Sequence, residues 1–338
     1  MLADYPLDVK FQVAEFQDLF NQSFKAFLDP TLSGSLNPGQ RRKSNGHQLD
    51  VCIQSVLPRP TAEQTLWYEG EMPQVPQSNF IQHASPHESL ITVNNCATLF
   101  TNYATKRSRL VALPIHQQKA VKDLLMSAFV DAAHTGGQVV MHAAALALPK
   151  RREMVLIYAP SGTGKTTTAL MLMAAGFQLA SDDLVFILPQ DIPTAYGMPR
   201  SMKVHRNTAN LLPSVEQKLV NVDWNEEGER PLLMDSLGDL PSIKQPEALP
   251  IAALIRLKRG RGRSEIRPAS AVDSLASLAA DNVRRGDATV GLLPIDHARL
   301  RGYASILNRI PLFDLVVGDD HARVPGLVEA ACKSRKAS

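Results

Sequence analysis

The sequence predicts an α/β protein in two parts, a smaller strand-rich region at residues 1–115 and a larger α/β domain at residues 116–338. Three observations lead to this prediction. From about residue 115 onward, apolar runs of strand length alternate with helix-like runs, which is typical of an α/β domain. Inside that domain, a short apolar strand is followed at once by a glycine-rich turn and a helix. Before it, short β-branched segments are separated by Pro and Asn clusters, as expected of short strands.

The N-terminal region is predicted to begin with a helix. Residues 10–28 carry phenylalanine and aliphatic side chains at helical spacing, which indicates an amphipathic helix. The stretch 32–46 is rich in Gly, Ser, Pro and charge, and it predicts an exposed, disordered loop. Short strands are predicted over residues 49–113, for example at 49–53 and 89–93.

In the larger domain, the period of the apolar residues separates helices from strands. Helices are predicted at 117–133, 166–175, 271–283 and 297–307, and strands at 139–148, 154–158, 184–188, 252–257 and 312–317. Gly176 is placed to terminate the second of these helices.

Composition excludes several classes of protein. The chain has 338 residues and a formal net charge of +3, too little charge to predict binding to nucleic acid or to an anionic membrane. The three cysteines have no Cys-x-x-Cys spacing, so we expect reduced thiols rather than a disulfide framework or a zinc site. Neither a signal peptide nor a run of 18 apolar residues is visible, so we expect a cytoplasmic location.

The strongest motif is a glycine-rich loop of the G-x-x-x-x-G-K-[ST] type, which cradles phosphates. Its residues, with the next helical position, are Ala159, Pro160, Ser161, Gly162, Thr163, Gly164, Lys165, Thr166 and Thr167. Only the first position, Ala159, departs from the pattern, and this position requires a small side chain more than it requires glycine. Backbone N–H groups would ligate phosphate oxygens, the lysine would reach the β- and γ-phosphates, and the hydroxyl of Thr166 would bind Mg²⁺ or Mn²⁺. The loop therefore predicts binding of ATP with a divalent metal ion.

Asp182 and Asp183 form a second motif, 17 and 18 residues after Lys165. This distance fits one helix and a returning strand, which would bring both carboxylates back to the loop. One carboxylate could then hold the metal while the other accepts a proton from an attacking hydroxyl. Since neighbours on a strand face opposite ways, both reach the site only if the chain bends there. The alternative is a polar turn with two solvated acids.

Five segments together resemble the HPr kinase/phosphorylase superfamily, and more closely its shorter HPr-kinase-related branch, which includes lasso-peptide kinases. They are residues 141–145, 159–166 and 176–183, with weaker matches at 199–203 and 252–257. The resemblance implies a PEP-carboxykinase-like nucleotide-binding fold and ATP-dependent phosphorylation of a hydroxyl group, usually that of a serine.

The resemblance also implies residue roles. Asp182 would be the general base, Asp183 and Thr166 would serve the metal, and His142 would lie beside the glycine-rich loop. Arg200 and Lys203 are weaker candidates for contacts to phosphate or substrate. HPr kinases carry a metal-associated glutamate some two dozen residues after the aspartate pair, but residues 203–208 contain none. At this point the sequence departs from HPr kinases, so the phosphorylase half-reaction and HPr as the substrate stay open.

The leading functional hypothesis is a kinase that acts on a Ser or Thr hydroxyl of a protein or peptide. A small-molecule kinase and a nucleotide-binding regulatory protein without phosphotransfer are the alternatives. The basic turn at 258–263 has no interleaved aromatic residue, so a solvated hairpin is favoured over a peptide- or nucleic-acid-binding role. Homo-oligomerisation stays open.

Overall fold

The structure, a computed structural model, describes residues 7–24, 46–72, 75–198, 201–233, 236–238, 240–243, 247–282 and 294–333. The described chain divides into two compact units. The first holds the described residues up to Gln138 together with 294–299, and the second holds those from Val139 to 282 and from Leu300 onward.

The first unit is built on a seven-stranded sheet. In chain order its main elements are β1 (Leu7–Phe11), α1 (Ala14–Phe24), β2 (His47–Ile53), β3 (Thr65–Met72), β4 (Val75–Ala84), β5 (Glu88–Val93), β6 (Ala97–Asn102), β7 (Arg107–Ala112) and α2 (Gln118–Thr135). The strands lie in the order β1-β2-β7-β6-β5-β4-β3. β1, β2 and β7 are parallel, and the other neighbouring pairs are antiparallel.

The unit boundary differs from the predicted one. The sequence predicts a division at 115, which would give α2 to the α/β domain. In the structure α2 packs against β6 and β7, so it belongs to the N-terminal unit and the division follows it at Gln138. A helix that directly follows a strand-rich region can cover that region's sheet, and its own sequence does not tell which sheet it covers.

The predicted helix at 10–28 begins later than expected, because Phe11 lies in β1 and pairs with β2. The helical spacing is real over α1, where Phe16, Phe20 and Phe24 are buried on one face. The rings of Phe20 and Phe24 are 4.6 Å apart, and that of Phe24 is 4.7 Å from Phe129 of α2. These contacts attach α1 to α2. The predicted loop at 32–46 lies outside the described residues except for Gly46.

The second unit contains a nine-stranded sheet and a separate two-stranded sheet. Its elements are β8 (Val139–His142), β9 (Ala144–Ala147), β10 (Met154–Tyr158), α3 (Lys165–Ala174), β11 (Gln178–Ser181), β12 (Leu184–Leu188), β13 (Thr194–Gly197), β14 (Met202–His205), α4 (Arg206–Leu211), α5 (Pro213–Glu216), β15 (Glu229–Leu232), β16 (Leu249–Arg259), β17 (Glu265–Pro268), α6 (Ala271–Asn282), α7 (Pro294–Leu307), β18 (Leu312–Val317) and α8 (Val324–Lys333). The helix α7 belongs to this unit from Leu300 onward.

The large sheet has the order β11-β9-β10-β16-β13-β12-β8. In addition, β18 pairs with the C-terminal part of β16, from residue 254 to 259, and β17 pairs with β18. β10 and β18 are parallel to β16, and the remaining pairs are antiparallel. The two-stranded sheet pairs β14 with β15 in antiparallel orientation. The second unit is therefore a mixed α/β fold, which confirms the predicted class at that level.

Apolar side chains on both faces of the sheet bury it between helices. Along β10, Val155 and Ile157 face a cluster that includes α3 and α8, while Leu156 faces a cluster that includes α6 and α7. This alternation follows from the two-residue period of a strand, and burial on both faces explains why β10 reads as a continuous apolar run. The glycine-rich loop thus follows directly after a central, fully buried strand.

All three cysteines are buried and free. None of the described helices is long and apolar enough to cross a membrane.

Candidate functional site

The glycine-rich loop connects β10 to α3, in the strand–loop–helix order that the sequence predicts. Gly162 and Gly164 have φ values of +74° and +112°, in the region that side-chain-bearing residues rarely adopt. Gly164 is also the N-cap of α3, so the unpaired N–H groups of the first helical turn face the loop. A helix start of this kind favours an anion.

The remaining loop positions fit the same arrangement. Ala159 is fully buried in the core beneath α3 and does not have a positive φ, so alanine satisfies the place where the motif usually has glycine. Pro160 and Ser161 are exposed. The N–H of Thr163 donates to the carbonyl of Pro160 at 3.2 Å, which closes a turn at the tip of the loop.

Lys165 is only 8% exposed, and its ammonium donates to the carbonyl oxygen of Ala159 at 2.6 Å. Burial lowers the pKa of Lys165 below its usual value, while the carboxylates of Asp281, Asp183 and Asp182 act in the opposite direction. The lysine is thus a buried cation at the base of the loop, within the electrostatic reach of three acids.

The two predicted aspartates lie in a bend between β11 and β12. The hydroxyl of Ser181 accepts hydrogen bonds from the N–H groups of Asp183 and Leu184, at 3.3 and 3.2 Å, which holds the bend. The hydroxyl of Thr166 donates to Asp182 at 3.4 Å. Asp183 lies 3.5 Å from Nε2 of His142. The bend that the sequence requires is present, and it directs the carboxylates to different partners.

His142 is at a break in the sheet. The sequence predicts one strand over 139–148, but β8 ends at His142 and β9 begins at Ala144, because the N–H of Ala143 donates to the carbonyl of Asp183 at 3.0 Å. The two short strands therefore pair with different neighbours, β12 and β10. The break brings the histidine next to the aspartate bend.

The end of α6 supplies two residues that the sequence reasoning missed. Asp281 Oδ2 lies 3.5 Å from His142 Nδ1, and both atoms are buried without a hydrogen-bond partner. The side chain of Asn282 accepts a hydrogen bond from the backbone N–H of His142 at 2.7 Å. The imidazole therefore lies between two carboxylates, those of Asp183 and Asp281. The sequence predicts the helix, but no motif connects its last turn to the loop.

Arg259, the last residue of β16, was also missed. Its guanidinium donates to the carbonyls of Thr163 and Gly162, at 3.1 and 2.6 Å. The basic turn is thus not merely a solvated hairpin, as the sequence favours: one of its arginines binds the glycine-rich loop, and Lys258 pairs with Asp314 at 2.7 Å. The relevant signal was its position at the carboxyl end of a strand next to β10, which charge counting ignores.

Only one of the two weaker candidates can be placed relative to the loop. Arg200 lies outside the described residues. Lys203 is exposed on β14, with ion pairs to Glu227 at 3.9 Å and Glu229 at 3.5 Å. Thr167 contacts Thr208 of α4 through their hydroxyls at 2.6 Å, which ties the segment after β14 to the start of α3.

A divalent metal ion fits the residues beside the loop only if the nucleotide shares in its ligation. Within the described parts of the chain, no group of three or more His, Cys, Asp or Glu side chains is placed to hold a metal. Thr166 and Asp182 nevertheless offer two hard oxygen donors 3.4 Å apart. Two ligands of one Mg²⁺ at about 2.1 Å each can be separated by up to about 4.2 Å, so this pair can bind one ion and leave other positions to phosphate and water.

Comparisons with known proteins give little further information. No family model matches the chain, and none of the curated proteins matches it. Among solved structures it is similar to the Hpr(Ser) kinase/phosphatase from Coxiella burnetii, at 14% identity and a TM-score of 0.28, over 58% of this chain and 95% of that chain. A TM-score this low assigns neither a fold nor a function, so the resemblance predicted from the sequence motifs stays a prediction.

Proposed function

We propose that the protein is an ATP- and metal-dependent kinase that transfers the γ-phosphoryl group to a hydroxyl of a protein or peptide, typically that of a serine. One observation carries the proposal: a glycine-rich loop at a helix start has a buried lysine at its base, and Asp182 contacts Thr166 in the first turn of that helix. Lys165 lies in the field of both Asp182 and Asp183. A loop that only started a helix would need neither the buried cation nor the acids.

Nucleotide binding would use the loop and the first turn of α3. Their N–H groups and the helix dipole attract the phosphates, and Lys165 adds a full positive charge. In the structure that ammonium donates to the carbonyl of Ala159, so it would exchange this partner for phosphate oxygens when ATP binds. Its low exposure means that little hydration is lost in the exchange, which favours a strong ion pair.

The metal would be held by Thr166 and Asp182. A divalent metal ion held there would supply positive charge that offsets the charge developing on the phosphates during transfer. The contact between Thr166 and Asp182 supports this pair as ligands. The roles thus differ from those implied by the family resemblance, which gives the metal to Asp183 and the base to Asp182.

Asp183 would be the general base. Its carboxylate can accept the proton of the acceptor hydroxyl while the hydroxyl oxygen bonds to the γ-phosphorus and the bond to the β-phosphate oxygen breaks, releasing ADP. His142 lies 3.5 Å from Asp183 on one side and 3.5 Å from Asp281 on the other. The imidazole would hold Asp183 in place, and Asp281 would hold the imidazole.

The acceptor class is inferred from the additional domain. A separate unit with its own seven-stranded sheet is present before the glycine-rich loop, and a kinase for a small metabolite does not need a region of that size to recognise its substrate. A macromolecular acceptor with a Ser or Thr hydroxyl fits such a chain better. A cytoplasmic location and the absence of nucleic acid as a partner follow from the sequence alone and stay predictions.

The test is transfer of labelled γ-phosphate. The protein would be incubated with γ-labelled ATP and Mg²⁺, first alone, then with peptides encoded by neighbouring genes, and then with small hydroxyl compounds. We expect label in a peptide, at a serine, and none with Lys165→Ala. Label only in small compounds would favour a metabolite kinase. If the protein binds ATP but neither hydrolyses it nor transfers its phosphate to any acceptor, a regulatory nucleotide-binding protein would be favoured.

A further inference from the structure

We infer that Arg259 is a positioning residue that clamps the glycine-rich loop from outside, and thereby fixes the orientation of the Gly164 N–H, which would face the phosphates. The effect on nucleotide affinity rests on the proposed function, whereas the clamp itself rests only on contacts in the structure.

The guanidinium binds two consecutive carbonyls of the loop. Nε donates to the oxygen of Thr163 at 3.1 Å, and Nη2 donates to the oxygen of Gly162 at 2.6 Å. In a planar trans peptide, the C=O and the N–H of one unit point in opposite directions. Holding the carbonyl of Thr163 on the outer side therefore turns the N–H of Gly164 to the other side. A planar guanidinium has donors in a rigid fork, so it fixes both units together.

The register of β16 explains why an arginine reaches this place. β10 and β16 are parallel, with Tyr158 opposite Arg256, so the end of β16 lies beside the start of the loop. Side chains alternate along the strand. Lys258 pairs with Asp314 on one face, whereas Leu257 is packed in the core with α3 on the other. Arg259 follows Leu257 by two positions and so faces α3 and its loop.

The backbone that carries Arg259 is itself fixed to the end of β18. The N–H of Gly260 donates to the carbonyl of Val317 at 2.9 Å, and that of Gly262 donates to Asp319 at 2.8 Å. A Cβ on Gly318 would lie 2.2 Å from the carbonyl oxygen of Gly262, which shows how closely the two segments approach. Arg259 therefore extends from an anchored turn and not from a mobile hairpin.

A clamp is needed because the loop contains glycine where backbone freedom is greatest. Gly162 and Gly164 both have positive φ, and an unrestrained glycine populates many conformations. A ligand must pay for ordering such a loop unless the protein has already ordered it. Since ATP and ADP both carry the β-phosphate that a loop of this kind holds, loss of the clamp should weaken both nucleotides by a similar factor.

The test compares Arg259→Ala and Arg259→Lys with Arg261→Ala. Arg261 is an exposed arginine two positions along the same turn, which makes it a matched control for charge. Hydrogen exchange of the peptide covering residues 159–166 would be measured without nucleotide, and ATP·Mg²⁺ and ADP·Mg²⁺ affinities by calorimetry. For Arg259→Ala we expect faster exchange and both affinities lowered about tenfold, because each nucleotide would then have to order roughly one further backbone residue of the loop. Arg259→Lys should retain only part of the affinity of the unaltered protein, because one ammonium group does not bind both carbonyls in a fixed geometry.

Unchanged exchange in Arg259→Ala would overturn the clamp. A loss of affinity for ATP but not for ADP would also overturn it, because it would indicate direct contact with the γ-phosphate. An equal effect in Arg261→Ala would reduce the finding to general charge attraction and so contradict it. If the unaltered protein binds neither nucleotide, the proposed function fails, while the exchange measurement still decides whether Arg259 orders the loop.

Discussion

Replacing Gly197 by alanine should destabilise the second unit and disturb the aspartate bend. Gly197 is the last residue of β13. It lies close to the end of β11, the strand that comes immediately before Asp182 and Asp183 in the chain. A Cβ on Gly197 would lie 2.5 Å from the carbonyl oxygen of Ala180 and 2.6 Å from Cβ of Ser181. Contacts this short essentially never occur, and the first obstacle is backbone, which does not rotate away.

The size of the effect follows from the required movement. Ordinary contact begins near 3.4 Å, so β11 and β13 must separate locally by about 0.9 Å. Overpacking of a buried site costs about 1–3 kcal/mol, and a clash with backbone lies at the upper end. For a unit of this size, about 3 kcal/mol lowers the melting temperature by roughly 6–12 °C. Because Ser181 holds the bend, we also expect phosphotransfer to fall at temperatures where the variant is still folded.

The matched control is Gly326→Ala. Gly326 lies in α8, has no positive φ, and has no atom within 4 Å of an added Cβ. Alanine is the better helix former, so this substitution should be neutral or stabilising by up to about 1 kcal/mol. Thermal unfolding by circular dichroism measures both variants. A melting temperature for Gly197→Ala equal to that of the unaltered protein would refute the packing argument.

Further predictions concern the acids and one buried histidine. Asp182→Asn should weaken metal use, so that raised Mg²⁺ or added Mn²⁺ recovers part of the transfer, whereas Asp183→Asn should lose about 10²–10⁴ in turnover without metal rescue. Rescue of Asp183→Asn alone would reverse the two roles, and less than a threefold effect in both would remove the kinase mechanism. Asp281→Asn should lower turnover less than Asp183→Asn in the transfer assay, because Asp281 acts through His142; an equal loss in both variants would contradict its indirect role. Burial lowers the pKa of His47 from 6.5 to about 4, so the unfolded chain binds the proton first as the pH falls. The free energy of unfolding should therefore fall by about 3 kcal/mol between pH 6.5 and 4 and then level off. In His47→Gln, denaturant unfolding at several pH values should show a smaller fall over this range; the same slope as in the unaltered protein would contradict the role of His47.

Local sequence patterns were enough to predict the elements that carry the loop. β10, α3 and α6 lie close to their predicted bounds, because each is a long apolar run or a clear helical repeat with a recognisable stop. The short strands β13 to β15 were missed, since elements of four residues carry too few positions to establish a period. The ten-residue helix α8 was also missed, because its first turn contains Pro325 and Gly326, a pair that is typical of turns. The break at Ala143 was also missed, because it results from a hydrogen bond to a residue forty positions away.

The candidate site divides in the same way. Lys165, Thr166 and the aspartate pair could be predicted because they follow one another along the chain at a spacing set by one helix and one strand. Asp281, Asn282 and Arg259 could not, since their distance from the loop depends on how α6 and β16 are placed beside it. In Arg259 the sequence shows an ordinary surface charge, and only the register between β10 and β16 shows what it contacts.

The most direct test of the account is calorimetric titration of ATP·Mg²⁺ into the full chain and into Lys165→Ala. In the proposed function Lys165 would act as a charge on the phosphates, so its removal should nearly abolish binding. Because the substitution also leaves the buried carbonyl of Ala159 without its donor, we expect a melting temperature a few degrees lower, with the variant still folded at the temperature of the titration. The account predicts saturable binding of one nucleotide per chain, and at least a tenfold loss of affinity in the variant. Equal affinity and equal turnover in the two proteins, or no binding to the unaltered chain, would contradict the claim that the glycine-rich loop is a nucleotide site.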